Sequence, residues 1–341
     1  MQAQAVVAVE AGRIELKTVW TPDPRPDDVL VRVQHSWISP GTERSMIMGE
    51  RIDGETAWSP TDPLPFPHVP GYQKVGVVEW VGGDVSGVQP GQQVFVTVSK
   101  VDDMFYPTGG HISPAVTHHS QVWPVPEHVA PVALSGLVLT QVGYNCAIRP
   151  TIVEGDAVVV VGDGLIGHWA SQALAHRGAR VMMVGRHDSR LAYFAAREND
   201  RAVNSSQEDS ASAARDWAPE GIQAVLDTVG SVSALELFFP LMRRDGHWVS
   251  AGFHGTRGTI DIQRLRPREL SLHTPSGWTS ARMDATHHLI SCGVLQTERL
   301  ISHRFPVARA AEAFDLALHR REPFLGVILD WDVDTPGKDV Q

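Results

Sequence analysis

Glycines at 162, 164 and 167 stand in the run Gly162-Asp163-Gly164-Leu165-Ile166-Gly167, directly behind the apolar residues Val158–Val161. Glycine has a physical use at each place: a tight turn, close approach of backbone to a charged ligand, and close packing of helix on strand. A helix opening at Leu165 would turn free N–H groups and the positive end of its dipole toward an anion. A second strand follows about 20 residues on, so the pattern predicts a dinucleotide pyrophosphate here. Gly162, Gly164, Leu165, Ile166 and Gly167 are the expected contacts.

The second strand ends Val184-Gly185-Arg186-His187. An acidic residue at Gly185 would bond the ribose hydroxyls; glycine leaves room for a 2′-phosphate instead. Arg186, with Arg190 a helical turn on, can pair with that phosphate. The expected cofactor is therefore NADP(H) rather than NAD(H). The competing reading makes both arginines solvated surface charges and gives the ribose contact to Asp188.

These residues need elements to position them. Ala157–Val161 is continuously apolar, like a strand buried on both faces of a parallel sheet. Ile166–Arg177 has helical spacing, Val181–Val184 reads as strand and Leu191–Arg197 as helix. Ala224–Leu226 reads as strand, Ala234–Met242 as helix and His247–Ala251 as strand. Such alternation predicts a doubly wound parallel sheet, an α/β fold.

The first third is different. Gly and Pro punctuate short β-branched runs, with strands expected over Val29–Gln34, Lys74–Val81 and Val94–Val98. Turns fall at Pro22–Pro26 and Gln89–Gly91, and the whole points to a β-rich barrel or sandwich. The long loop Gly54–Pro70 is of a length often found in functional loops. From about Ser280 come a helix (Met283–Ser291), a strand (Ile301–Phe305), a helix (Ala308–His319) and the apolar run Gly326–Leu329. The polar tail after Trp331 is expected to fray.

Composition bounds the function. The chain has 341 residues, 43% of them hydrophobic and 20% charged, which excludes bulk disorder. A net charge of −10 with no Lys/Arg-rich run argues against a nucleic-acid partner and for a soluble cytoplasmic protein. Two cysteines, Cys146 and Cys292, exclude a disulfide scaffold and a cysteine-built zinc site, and read as small buried hydrophobes in a reducing compartment. Glu10 and Arg13 interrupt the N-terminal stretch, against a signal peptide, and the apolar run near Ala157–Val161 is too short to cross a bilayer.

Landmarks in order along the chain carry a resemblance. They are Pro40-Gly41-Thr42-Glu43, Val69-Pro70-Gly71-Tyr72-Gln73 with Val75-Gly76-Val77-Val78, and Val88-Gln89-Pro90-Gly91. The Gly162 turn, Asp227-Thr228-Val229-Gly230 and Ala251-Gly252-Phe253 follow. The chain resembles the medium-chain dehydrogenase/reductase superfamily over nearly its whole length. The resemblance implies a GroES-like β-barrel catalytic domain (1–140), a Rossmann cofactor domain (141–279) and a return to the first domain (280–341). It also implies cofactor contacts at Thr228, Gly252 and Phe253, and a homodimer through sheet edges near Leu270–Thr274. Within the superfamily, Ile38–Glu43, Val69–Tyr72, Leu300–Arg304 and Ile328–Trp331 are most similar to the bacteriochlorophyllide hydroxyethyl dehydrogenase group.

The departures matter as much. Zinc-dependent members place ligands where this chain has Pro40 and Gly71-Tyr72-Gln73; a third ligand would lie near Leu139, and the cysteine-rich structural-zinc lobe is missing. The expectation is therefore no metal. His111, His118 and His119 have no standard ligand spacing and read as loop or solvated histidines. Without zinc, hydrogen-bond donors must stabilise the charge that develops on a ketone oxygen accepting hydride. Tyr72 and Thr42 are expected to do this, with Gln73 orienting either one. The competing readings make Tyr72 an aromatic filling an empty metal cavity, Thr42 a turn hydroxyl, and Glu43 a structural partner for a neighbouring basic group. Lys74, on an alternating strand, is expected to face away from the site. Trp37, Met46, Met48, Phe105 and Tyr106 are candidates to line a large apolar substrate cavity, though each also fits the core. The function implied is interconversion of a bulky or polyhydroxylated secondary alcohol and its ketone. The alternatives are a zinc-free NADPH quinone or enoyl reductase and a non-catalytic NADPH-binding protein.

Overall fold

The computed structural model describes residues 1–53, 56–255 and 258–331. Gly54, at the start of the long loop, and the tail after Trp331 lie outside the described residues. The chain divides into two units, one of 1–136 with 301–341, the other of 137–300.

The first unit is built on β-branched alternation. Strand β1 (Asp28–Ile38) buries Val29, Val31 and Val33 and leaves Arg32 outside. It lies between β2 (Lys74–Val81) and the strand Gly326–Asp330, antiparallel to both. The sheet runs on through β3 (Gln93–Val96) on one side and Ile301–Pro306 on the other, seven strands in all. The interior is mostly valine: Val29, Val31, Val33, Val78, Val94 and Val96 form one cluster. Helix Ala310–His319 closes a second cluster with Ala313, Phe314 and Ala317 against Ile38, Ile47 and Leu329. The short helix α1 (Thr42–Ile47) follows β1 after a three-residue turn.

The second unit holds the doubly wound sheet. Six parallel strands lie in the order β6 (Arg201–Asn204), β5 (Arg180–Gly185), β4 (Ala157–Val161), β7 (Ile222–Asp227), β8 (Met242–Ser250) and β9 (Ser271–His273). Strand β4 is buried at every residue, as a central strand covered on both faces must be. The strand order reverses between β4 and β7, which is where such sheets bind ligands beyond their carboxyl ends. Helix α2 (Leu137–Ala147) opens the unit, and α3 (Leu165–His176) follows β4.

Three expectations are corrected. Leu191–Arg197 is not a helix: one turn, α4 (Asp188–Leu191), unwinds as Tyr193 and Phe194 switch to three-residue hydrogen bonds. Arg197 is then tied to the carbonyls of Ala175 and Ala179 and to Asp200. Ala234–Met242 splits into helix Val232–Glu236 and a 3₁₀ turn Phe239–Leu241, because Pro240 cannot continue a helix, and Met242 already starts β8. Helix α5 (Ser280–Ser291) packs on α2, burying Met283, Thr286 and Ile290, so the second unit runs from Leu137 to Leu300 rather than over 141–279.

Candidate functional site

The glycine turn is held from inside. Gly162 has φ of +124°, a conformation that side chains rarely adopt, and its N–H donates to Val184. A Cβ on Gly162 would collide with the Thr228 hydroxyl, and one on Gly167 with the Gly162 carbonyl. Gly164 differs: it is extended, caps α3 without a side chain, and faces open space. The first turn of α3 carries no acid. This open cradle before an uncapped twelve-residue helix fits a pyrophosphate. Leu165 is buried and Ile166 half-buried in that first turn.

At the end of β7, the buried Asp227 carboxylate accepts the N–H groups of Val229 (2.8 Å), Gly230 (3.0 Å) and Ser231 (3.2 Å). Its carbonyl takes those of Ala251 and Gly252. A Cβ on Gly252 would collide with the Gly230 backbone, so the Thr228–Gly230 and Gly252–Phe253 segments lie backbone to backbone. Asp227 was a sequence landmark, but its role as the acceptor that shapes this rim is visible only in the fold.

The end of β5 corrects the sequence reading. The space beside Gly185 is not left open: Asp163 fills it, and a Cβ on Gly185 would stand 2.5 Å from the Cβ of Asp163. Asp163 Oδ2 accepts the N–H groups of Arg186 and His187, both at 2.9 Å, and the His187 Nδ1–H at 2.8 Å. Arg190 turns inward onto the same carboxylate at 3.6 Å and is mostly covered, while Arg186 stays exposed. Burial pushes the Asp163 carboxyl up, but the donors from Arg186 and His187 outweigh it and hold it below the usual range. Asp188 accepts from Asn204 (2.6 Å) and Gln207 (2.7 Å), which lower its pKa.

In the first unit, three hydroxyls meet. Tyr72 donates its phenol O–H to Ser39 Oγ at 2.8 Å, with the Thr42 hydroxyl also within hydrogen-bond reach. Burial pushes the phenol up to about 12; the Ser39 and Thr42 hydroxyls pull against burial, and the Glu43 carboxylate adds to it. Ser39, absent from the sequence expectations as a site residue, is therefore the phenol's immediate partner.

A buried chain of polar groups supports this cluster. Glu43 Oε1 accepts the Ser39 N–H at 2.7 Å, and Oε2 pairs with His111 Nε2 at 2.9 Å. His111 Nδ1 meets Ser36 Oγ at 2.8 Å, and the Trp331 indole donates to the same oxygen. Gly71, at φ +88°, allows the contact: a Cβ there would stand 2.7 Å from the His111 ring. Glu43 thus has a basic partner, and His111 is a buried structural group.

Gln73 donates to the Trp37 carbonyl at 3.3 Å. Lys74 buries its amine on the Thr97 carbonyl at 2.6 Å, and burial pushes it down to about 7. Trp37 is fully buried beside Gly136, whereas Met48 and Phe105 are exposed and Met46 and Tyr106 half-buried. His118 lies by Ser120 and Asp27, exposed beside His119. Among the described residues, no group of three His, Cys, Asp or Glu side chains gathers to hold a metal ion. Proline, phenol and amide do not suit zinc, so Pro40, Tyr72 and Gln73 do not fit that ion.

Two family profiles match the chain: an alcohol dehydrogenase GroES-like domain over 25–127 and a zinc-binding dehydrogenase over 166–291. The chain belongs to the medium-chain dehydrogenase/reductase superfamily and is an oxidoreductase of the nicotinamide-using kind. It is 26% identical to the 2-desacetyl-2-hydroxyethyl bacteriochlorophyllide A dehydrogenase of Rhodobacter capsulatus, over 97% of this chain and 99% of that one. Its fold matches an Escherichia coli oxidoreductase of unknown specificity involved in membrane biogenesis (TM-score 0.84, 19% identity, 97% and 99% covered). It also matches a zinc-binding dehydrogenase from Sinorhizobium meliloti bound to NADP (TM-score 0.79, 19% identity, 97% and 99% covered).

Proposed function

We propose that the protein is a zinc-independent, NADP(H)-dependent oxidoreductase that interconverts a bulky or polyhydroxylated secondary alcohol and its ketone. The observation that carries this is the phenol of Tyr72 bonded to Ser39 Oγ, beside Thr42, where relatives of this family hold zinc. The similarity to a dehydrogenase of hydroxyethyl bacteriochlorophyllide supports a bulky secondary alcohol, and structural neighbours bound to NADP and to NADH support a nicotinamide cofactor.

The pyrophosphate would lie at Gly162–Gly167, the adenosine ribose at Gly185–Arg190, and the nicotinamide end against Thr228, Gly252 and Phe253. The bound cofactor supplies or accepts hydride. Tyr72, with its pKa raised, stays protonated across the neutral range, so it is a neutral phenol that donates one hydrogen bond and can accept another. On reduction it turns its O–H from Ser39 to the substrate oxygen, stabilises the growing negative charge and hands over its proton as the Ser39 hydroxyl passes one to the phenol oxygen, the loss being made good from solvent through the half-exposed Thr42 hydroxyl. On oxidation the same relay runs backwards, from the alcohol through Tyr72, Ser39 and Thr42 to solvent. Gln73 steadies the segment that carries Tyr72.

The test compares a ketone, an enone and a quinone with NADPH and NADH, in the native protein and in Tyr72→Phe. Ketone reduction with NADPH is expected, and kcat should drop about 10²-fold in the variant with cofactor affinity unchanged. Turnover of only the enone or quinone would move the assignment to C=C or quinone reduction. An unaltered kcat removes Tyr72 from the chemistry.

The same reading places the protein in the cytoplasm as a homodimer. Two free thiols, one exposed on Cys292, suit a reducing compartment. Among the described residues, no helix is long and apolar enough to cross a membrane.

A further inference from the structure

We propose that His187, aimed by Asp163, is the residue that reads the 2′ position of the cofactor ribose, binding a 2′-phosphate through Nε2 when protonated. The inference rests on the NADP(H) reading and adds a residue that reading did not contain. The end of the second Rossmann strand is where the 2′ substituent lies. His187 sits two residues past the end of β5, with its side chain 44% exposed. The Asp163 carboxylate, reaching over from the glycine turn, holds both the His187 N–H and its Nδ1. That bond fixes the ring so that Nδ1 faces the protein and Nε2 faces away from it.

Charge follows from the same geometry. Asp163 engages Arg190 on its other oxygen, so Arg190 is directed inward instead of outward. The outward cations are then Arg186 and, when protonated, His187. The groups facing the imidazole are Asp163 from the turn, with Arg186, Asp188 and Arg190 on its own segment. His168 of α3 lies behind Asp163 and is held neutral by burial, which pushes it down to about 4. A cationic imidazole answers a doubly charged 2′-phosphate and is nearly indifferent to a 2′-hydroxyl, so the residue discriminates NADP(H) from NAD(H).

Calorimetric titration of the full chain with NADP+ and NAD+ tests it without turnover. The native protein should prefer NADP+ about tenfold or more. His187→Gln should lose most of that preference and keep its affinity for NAD+. His187→Lys should restore the preference, which a merely structural role would not produce. A His187→Gln preference within twofold of the native one overturns the role of His187 and leaves the NADP(H) reading standing. A native protein that binds NAD+ as tightly as NADP+ overturns that reading and this inference together.

Discussion

Lys74 is fully buried with its amine on one carbonyl, and its free-energy consequence has a definite sign. The burial that takes the amine down to about 7 from an ordinary 10.5 means that the folded chain binds fewer protons than the unfolded one between those values. Stability from this group therefore rises with pH through that window and is lowest below about 7. Replacing it with a shape-matched apolar side chain removes the penalty but leaves the Thr97 carbonyl without this donor, a cost of about 1 kcal/mol. Lys74→Met should be more stable than the native protein by about 2 kcal/mol at pH 7, the gain shrinking toward pH 10. Denaturant melts at several pH values measure it; a variant less stable at pH 7 would mean the amine is held neutral or paired at little cost.

The two glycines that flank the open part of the turn should behave oppositely, because α3 meets its strand at one and solvent at the other. At Gly167 a methyl group collides with the Gly162 carbonyl, so Gly167→Ala must push α3 off β4. It should cost about 2–3 kcal/mol of stability along with cofactor affinity. At Gly164 the backbone is extended and the space free, so Gly164→Ala should fold normally while its methyl group blocks the pyrophosphate. Melting and NADP+ titration of both separate the cases; a Gly164→Ala protein that binds normally would move the pyrophosphate elsewhere. This turn was legible in the sequence because strand, glycines and helix are contiguous. The hydroxyl cluster was legible only by family likeness, since Ser39 and Tyr72 stand 33 residues apart. The link from Asp163 to Gly185 and His187 left no local signature at all, so glycine at 185 read as room for a ligand when a side chain already fills it. The helices expected over Leu191–Arg197 and Ala234–Met242 failed for a related reason: apolar spacing persisted where Arg197 contacts and Pro240 end the helix.

At the scale of the assembly, the parallel sheet of the second unit ends on β9, which pairs with β8 on one side only among the described residues. Leu272 on that strand is 39% exposed, an apolar residue on a free edge that another strand can satisfy. A two-fold axis beside β9 would set the strands of two copies antiparallel, bringing each Leu272 near its counterpart. The hold of β9 on β8 depends on protonation. The Thr151 N–H donates to His247 Nε2, which leaves His247 Nδ1 to donate to His273 Nε2 at 3.0 Å. Burial lowers the pKa of both rings; His273 lowers that of His247 further while Asp245 opposes, and Arg149 lowers that of His273. A proton added at either acceptor nitrogen breaks one of these bonds, and protons at both set two positive rings together. Both folded pKa values lie below the unfolded value of 6.5, so stability from the pair rises with pH and is lost as pH falls below that value. Sedimentation at pH 8 should therefore give twice the 37.2 kDa chain mass, with dissociation growing toward pH 5. Leu272→Lys should be monomeric at both pH values with its melting unchanged, because like charges would face each other across the axis. A native monomer at pH 8, or a Leu272→Lys dimer, would place any contact between copies away from this edge.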